Sequence, residues 1–480
     1  MTITLFALNG SWAHSALGIR CLSAALREAG FAPACVEGTI NDRSLTLLET
    51  LYRQRASLYA FSCYIWNIEP MLALAEQLKA LLPESRIVLG GPEVSFDTER
   101  FTALPFVDCV ITGEGEVAIV EAARAVAGGR ALPKCLIGTP DPDFEHRGIH
   151  YTKNEPVSSL VYYESSRGCP FSCSFCLSGR ADSAHAVRAK SAKKALQDLL
   201  EFEQLPGSFT VKLVDRTFNF DCKRAKEIWR GLLAPQYTKC YHFEIAAHLL
   251  DEECFEILSQ FPKGKIRLEI GLQSTNAQTL AAISRHTDAE CVLQACKRLM
   301  EGGGCHVHLD LIAGLPHEDY QSLAHSFDAA YPHCHVLQLG FLKLLHGTPL
   351  REQAAAFGAV CMPKSPYTVL KTELISFEEM AKLHRISDLM ERLRDSARFS
   401  HSLPLILSHL PSPFAFFANL DTYLQEALGK PLQKTSQRDL FWHLSQFARS
   451  QLPESVHEAL SLALRADYAA AEVRRAPRGL

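Results

Sequence analysis

Over the first quarter of the chain, short runs rich in β-branched and aromatic residues alternate with stretches where apolar side chains recur every three or four positions. The runs 3–8, 34–40, 58–64, 86–89 and 107–112 read as strands, and 16–29, 70–82 and 116–127 read as helices. This alternation predicts an α/β domain over residues 1–128, a doubly wound, Rossmann-like parallel sheet with helices on both faces. The ligand crevice of such a sheet lies beyond the carboxyl ends of its strands, here 9–18, 62–67, 90–96 and 113–115. Residues 129–156, punctuated by Gly138, Pro140, Pro142, Gly148 and Pro156, read as a linker.

A second alternation supplies strand candidates at 160–165, 209–214, 241–246, 266–272, 306–312 and 336–342. A closed eight-unit barrel takes about 250 residues. The shorter stretch 157–375 therefore predicts a partial (β/α)6 barrel with its chemistry at the strand carboxyl ends. From 376 to 480 only helical periodicity remains, and Met380, Leu383, Ile386, Leu389, Met390 and Leu393 make one apolar stripe. The stretch 403–417, with three prolines and three phenylalanines, reads as a packed but non-repetitive piece of this helical region.

Composition narrows the class. The 480 residues carry 49 Lys plus Arg against 53 Asp plus Glu, a net charge of −4, and 47% are hydrophobic. A chain so balanced lacks the basic footprint of a protein whose main partner is nucleic acid or anionic lipid. No charged leader with a cleavage site opens the chain, and no run of about 18 apolar residues follows, so the expectation is a soluble, cytoplasmic protein without a membrane partner. That compartment argues against pairing the 16 cysteines as disulfides.

Three cysteines stand together just after the first barrel strand, in Ser165-Ser-Arg-Gly-Cys169-Pro-Phe-Ser-Cys173-Ser-Phe175-Cys176. Three thiolates on one short loop hold three corners of a [4Fe-4S] cubane and leave the fourth iron open to a substrate or cosubstrate. A structural zinc would want four closed protein ligands, and no His or Cys stands beside the loop to supply the fourth. The paired histidines His306 and His308, and His333 with His335, lack a third partner at metal-ligand spacing.

The C-x-x-x-C-x-x-C spacing of Cys169, Cys173 and Cys176, with Phe175 before the third, resembles the radical S-adenosylmethionine (SAM) superfamily. So do Leu213-Val-Asp-Arg-Thr-Phe-Asn219, Glu269-Ile-Gly-Leu-Gln-Ser274 and Asp310-Leu-Ile-Ala-Gly-Leu-Pro-His-Glu318 at three strand ends. The resemblance implies that the open iron binds SAM and that an electron from the cluster breaks the sulfonium bond to give a 5′-deoxyadenosyl radical. It also implies a SAM site formed by Phe175, Gln273, Ser274 and Ile312. The usual Gly-Gly-Glu after the second strand is replaced by Asp215-Arg216-Thr217, which leaves the carboxylate for the SAM amine open, with Asp215 a SAM-site candidate or a helix cap.

A doubly wound domain ahead of such a barrel resembles the cobalamin-binding class of the superfamily. Its glycine-rich strand ends imply a corrin site at Ser62, Gly90, Gly91, Pro92, Gly113, Glu114 and Gly115. After the first strand the chain reads Asn9-Gly-Ser11-Trp-Ala-His14-Ser-Ala-Leu-Gly18, with Trp12 where many cobalamin domains have Asp. Ser11 and His14 are candidates there, His14 as cobalt ligand, as a contact to the nucleotide tail, or as a helix cap. The segments Leu337-Gln-Leu-Gly-Phe-Leu-Lys343, His346-Gly-Thr348 and Ser365-Pro-Tyr-Thr-Val-Leu-Lys371 resemble B12-binding radical SAM proteins with a C-terminal domain of unknown function.

The resemblance implies a cobalamin-dependent C-methyltransferase acting on a substrate it does not name, fed by a low-potential donor of the flavodoxin or ferredoxin type. The alternative is a cobalamin-assisted or cobalamin-free radical rearrangement or reduction without methyl transfer. A non-catalytic iron-sulfur protein is a third reading. A tRNA methylthiotransferase-like enzyme fits poorly, because no second three-cysteine set lies upstream and no basic C-terminal module follows.

Overall fold

Each β-branched run becomes a strand in the computed structural model, which describes residues 1–151, 158–179, 187–429 and 431–471. The first sheet holds β1 (Ile3–Asn9), β2 (Pro33–Thr39), β3 (Leu58–Ser62), β4 (Arg86–Gly90), β5 (Cys109–Thr112) and β6 (Cys135–Ile137). Its order is β2-β1-β3-β4-β5-β6, with every pairing parallel. Alternate residues of each strand enter opposite apolar layers: Phe6, Leu8 and Phe61 pack with Met71 and Leu74 on one face, and Leu5, Ala7 and Ala60 with Ile19 and Ile119 on the other. Successive strand side chains point to opposite faces, so a sheet covered on both sides reads as a continuous apolar run.

The stretch read as a linker is corrected by β6, whose Cys135 pairs with Val110. Three residues between Pro and Gly are too few to show a period. The part of that stretch within the described residues is largely exposed but anchored at a few points: Phe144 is buried, and the buried Arg147 guanidinium donates to Asp141 at 2.5 Å. Residues 152–156 lie outside the described residues.

By packing, the chain forms two compact units: Met1–Arg267 with Leu344–Glu352 and Met362–Tyr367, and Leu268–Lys343 with Gln353–Cys361 and Thr368–Leu480. The first unit contributes β7 (Leu160–Tyr163), β8 (Ser166–Arg167), β9 (Arg188–Ala189), β10 (Thr210–Leu213) and β11 (Cys240–Ile245). After these come β12 (Ile266–Gln273), β13 (Cys305–Ala313) and β14 (Val336–Phe341), and the second sheet runs β14-β13-β12-β11-β10-β7. The small pair β8 and β9 is antiparallel and lies between the first barrel strand and the second. Along β13, Cys305, Val307, Leu309, Leu311 and Ala313 are buried while His306, His308, Asp310 and Ile312 alternate with them. A curved sheet with one apolar and one polar face follows from that period of two.

The second unit ends in helices, after a short hairpin of β15 (Val360–Cys361) and β16 (Val369–Lys371). Helix Phe377–Met390 starts with a reciprocal cap between Ser376 and Glu379, and its whole apolar stripe is buried. Residues 403–417, expected to be non-repetitive, instead supply helix Ser402–Leu407 and the start of helix Pro413–Leu428. Both prolines inside them fall in a first turn, where a missing N–H costs nothing. Phe414 and Phe417 pack against Phe327. No described helix is long and apolar enough to cross a membrane.

Candidate functional site

The cysteine loop leaves β8 directly. Cys169, Cys173 and Cys176 are partly exposed and none is in a disulfide. The loop is folded on itself: Cys176 N–H donates to Cys173 O at 3.1 Å, Gly179 N–H to Cys176 O at 3.2 Å, and Leu350 N–H reaches Ser174 O at 3.0 Å. Two hydroxyls face this sulfur-rich turn. Thr217 Oγ1 lies 3.6 Å from Cys169 Sγ, and the Ser174 hydroxyl is buried without a partner among the described residues. Three soft thiols at this spacing fit a cluster with one open iron, while the Thr217 hydroxyl beside Cys169 already donates to Arg216 O at 2.8 Å. Phe175 stands inside the loop, partly buried.

Asp215, one of the SAM-site candidates, is engaged within the chain. Its carboxylate is fully buried and accepts from Ser165 N at 3.1 Å, from Ser165 Oγ at 2.7 Å and from Ser166 Oγ. Arg224 completes the node, donating to Ser165 Oγ at 2.7 Å. Burial pushes the Asp215 carboxyl up, and the two serine hydroxyls and Arg224 work against it. The site therefore ties the end of β10 to the strand that leads into the cysteines, and both Asp215 oxygens are taken.

In the second unit, Gln273 closes β12 in a left-handed conformation (φ 71°) and is 8% exposed, and its Oε1 has no partner among the described residues. An orphaned buried carbonyl at a strand carboxyl end fits a ligand hydroxyl or amine. Ser274 is saturated instead: its hydroxyl accepts from Asn276 N at 2.9 Å and donates to Glu318 Oε1 at 2.9 Å. Glu318, fully buried, also accepts from Ser322 at 3.0 Å, while its Oε2 is unpartnered among the described residues. Burial pushes its carboxyl up to about 7, against the pull of the Ser274 and Ser322 hydroxyls. Ile312 lies at the same end of the neighbouring strand, partly exposed. Thr217, Arg224 and Glu318 were not singled out from the sequence, although Thr217 and Glu318 stand in segments that carry the resemblance.

At the carboxyl ends of the first sheet, His14 Nδ1 lies 2.7 Å from Tyr162 Oη with the rings stacked, and the Ser158 hydroxyl donates to His14 O. Ser11 makes the turn before it, its Oγ accepting from Ala13 N at 3.3 Å. Ser62 and Tyr64 crowd Gly18, where an added Cβ would come within 3.2 Å of Tyr64 Oη. Gly91 (φ 116°) and Gly113 (φ 71°) are demanded by the backbone itself. An added Cβ would stand 2.4 Å from Cys63 O at the first and 2.9 Å from Gly138 O at the second. Pro92 starts a short helix, and Gly115 starts helix Gly115–Ala127. Gly90 is less confined, an added Cβ there meeting nothing closer than Ile111 O at 3.7 Å. Glu114 turns into an ion-pair network with Arg167 and Arg188.

Apolar side chains missed in the sequence stand exposed at this edge. Trp66 is stacked on Tyr64 at 4.4 Å and donates its indole N–H to Leu8 O, yet 48% of it is exposed. Trp12 and Ile40, at the ends of the two neighbouring strands, are exposed as well. Exposed aromatics at a strand-end crevice suit a large flat ligand such as a corrin. Their signal in the sequence was the placement of Trp12 and Trp66 just after strands.

Three family models match along the chain: the B12 binding domain over residues 10–123, the radical SAM superfamily over 163–330, and a protein of unknown function, DUF4080, over 355–478. The first two carry cobalamin, and SAM with a [4Fe-4S] cluster, as their cofactors. Among curated proteins, the chain is 25% identical over 350 residues to the cobalamin-dependent radical SAM methyltransferase TokK of Streptomyces tokunonensis. That match takes in 64% of this chain and 50% of TokK, so the chain spans about half the length of that relative. Among solved structures, the cobalamin-dependent SAM radical enzyme OxsB with aqua-cobalamin and SAM bound matches with a TM-score of 0.64 at 14% identity, covering 99% of this chain and 82% of that one. The radical SAM methyltransferase TsrM of Kitasatospora setae, with cobalamin and a [4Fe-4S] cluster bound, matches with a TM-score of 0.62 at 15% identity, over 76% of this chain and 78% of that one. At these identities the two structures speak for the fold.

Proposed function

We propose that this chain, which matches the B12 binding domain over residues 10–123 and the radical SAM superfamily over 163–330, is a cobalamin-dependent C-methyltransferase. The observation that carries the reading is the cysteine loop, three free cysteines at C-x-x-x-C-x-x-C spacing just after β8, in a chain that is also 25% identical to a methyltransferase over 350 residues. When bound, the cluster supplies the electron that breaks the SAM sulfonium bond and cobalamin carries the methyl group.

The chain's own residues divide the work. Cys169, Cys173 and Cys176 would hold three irons, with the Thr217 hydroxyl beside Cys169 and tied to Arg216 O. In the second unit Gln273 would offer its orphaned carbonyl to the ribose or amine of SAM, with Ile312 at the neighbouring strand end, and Ser274 holds its own turn. Asp215 positions the entry to the cysteine loop. At the first sheet, Gly90 and the exposed rings of Trp66 and Trp12 would hold cobalamin. An external low-potential protein of the flavodoxin or ferredoxin type delivers the electron.

The test needs no substrate. Protein reconstituted anaerobically with iron and sulfide is given SAM and a strong reductant, with and without hydroxocobalamin, and both SAM products are quantified. S-adenosylhomocysteine that forms only with cobalamin is the expected result. Release of 5′-deoxyadenosine alone, whatever the cobalamin, would leave radical chemistry standing and refute methyl transfer.

A further inference from the structure

The strand that delivers the cysteines is gripped by one guanidinium. Arg167, two residues before Cys169, donates through Nε to Glu164 at 2.8 Å, through Nη1 to Glu114 at 2.6 Å and through Nη2 to Glu116 at 2.6 Å. Its side chain is 14% exposed and lies over the Phe144 ring, 4.8 Å from the centroid. Glu114 is shared with Arg188, the register partner of Arg167 across the β8–β9 pair, and also accepts from Asp141 N at 3.0 Å. Glu116 is buried in the first turn of helix Gly115–Ala127. Three carboxylates and two guanidinium groups thus join the turn after β5 to the strand entering the cysteine loop.

We propose that Arg167 is a positioning residue that, through the turn 113–116, couples cobalamin docking at the strand ends of the first sheet to the geometry of the cysteine loop. The inference rests on the reading above, in which cobalamin docks at the strand ends of the first sheet. A guanidinium is a rigid planar fork, so three carboxylates around it fix one another's places. Withdrawing Arg167 would leave Glu114, Glu116 and Glu164 with only the partly exposed Arg188 among them, so the guanidinium is held where the three carboxylates are held. Displacement of Glu114 and Glu116 is passed to Arg167 and, two residues on, to Cys169. Coupling between sites is reciprocal: if cobalamin changes the affinity of the loop's ligand, that ligand changes the affinity for cobalamin by the same factor. Glu114 is thereby reassigned from a ligand contact to the clamp.

The test measures that factor. Protein carrying an oxidised cluster, without reductant so that SAM stays intact, is titrated with hydroxocobalamin in the absence and presence of saturating SAM. The ratio of the two dissociation constants is expected to differ from one by about fivefold or more. Arg167→Lys keeps the charge but replaces the fork with a point, and Glu116→Gln keeps the arginine but removes one carboxylate charge. Both are expected to bring the ratio toward one while still binding each cofactor, and Glu116→Gln decides if Arg167→Lys does not assemble a cluster. Arg53→Ala, which breaks an exposed helix ion pair with Glu49, leaves the ratio at the wild-type value. A wild-type ratio of one, or variants that keep the wild-type ratio, would overturn the coupling alone. Failure of hydroxocobalamin to bind under either condition would overturn the cobalamin reading and the coupling with it.

Discussion

Two sets of strand ends, one in each compact unit, look alike in sequence and differ in what they leave over. At the first sheet, the glycine turns that suggest a ligand are largely consumed by the chain: Gly91 passes over Cys63, Gly113 over Gly138, and Glu114 is spent on arginines. At the ends of β12 and β13, polar atoms are left without partners among the described residues, Gln273 Oε1 and Glu318 Oε2. The lesson concerns what counts as a signal. A strand-end glycine is explained as soon as a neighbouring backbone fills the space its side chain would take. A buried carbonyl without a donor is not explained until something else binds it.

The sharpest break of this comparison is Asp215, read from sequence as a SAM contact and found saturated. Asp215→Ala should cost about 3–5 kcal/mol of unfolding free energy, because it strands the buried Arg224 and two serine hydroxyls. Urea unfolding of the cofactor-free protein measures it. A loss below about 1 kcal/mol, in the range of a surface pair, would return Asp215 to ligand binding.

Next in size is a pH effect at Glu318. Its folded-state pKa, raised to about 7, lies above the unfolded value, so the folded state binds the proton more tightly. The stabilisation is complete below the unfolded pKa and is lost as pH rises through about 7. Between pH 5 and 8 the loss amounts to on the order of 3 kcal/mol. Glu318→Gln, which keeps an acceptor for Ser274, should remove this slope and be the more stable protein at pH 8. Equal pH slopes in urea unfolding of the two proteins would contradict the assignment.

The smallest expected effect is at Gly91. Gly91→Ala should destabilise by about 1–3 kcal/mol, since a side chain at φ 116° would run into Cys63 O. The same change at Gly90, where an added Cβ would meet only ordinary contacts, should be close to neutral for stability and act on cobalamin affinity instead. Equal destabilisation at the two positions would erase the distinction between a glycine the fold needs and one a ligand needs.

Both alternations of strand and helix were legible because each buried strand is a run of β-branched residues between turn signals. What escaped was short or depended on distant partners. β6 is three residues long, and helix Ser402–Leu407 contains a proline that deters a helical reading until its place in the first turn is known. The cysteine loop was legible because spacing carries its chemistry. The roles of Asp215 and Glu114 were not, because their partners stand 50 residues away at Ser165 and 53 residues away at Arg167. Trp66 was hidden for another reason: an aromatic after a strand is ordinary until its exposure is known.

The measurement that tests the account most directly is anaerobic reconstitution of the wild type and Cys169→Ala with iron and sulfide, followed by iron counting and an assay for 5′-deoxyadenosine from SAM under a strong reductant. The account predicts about four irons per wild-type chain, with SAM cleavage, and loss of both in the variant. A wild-type chain that assembles no cluster, or a variant indistinguishable from it, would contradict the reading of these three cysteines on which the proposed chemistry stands.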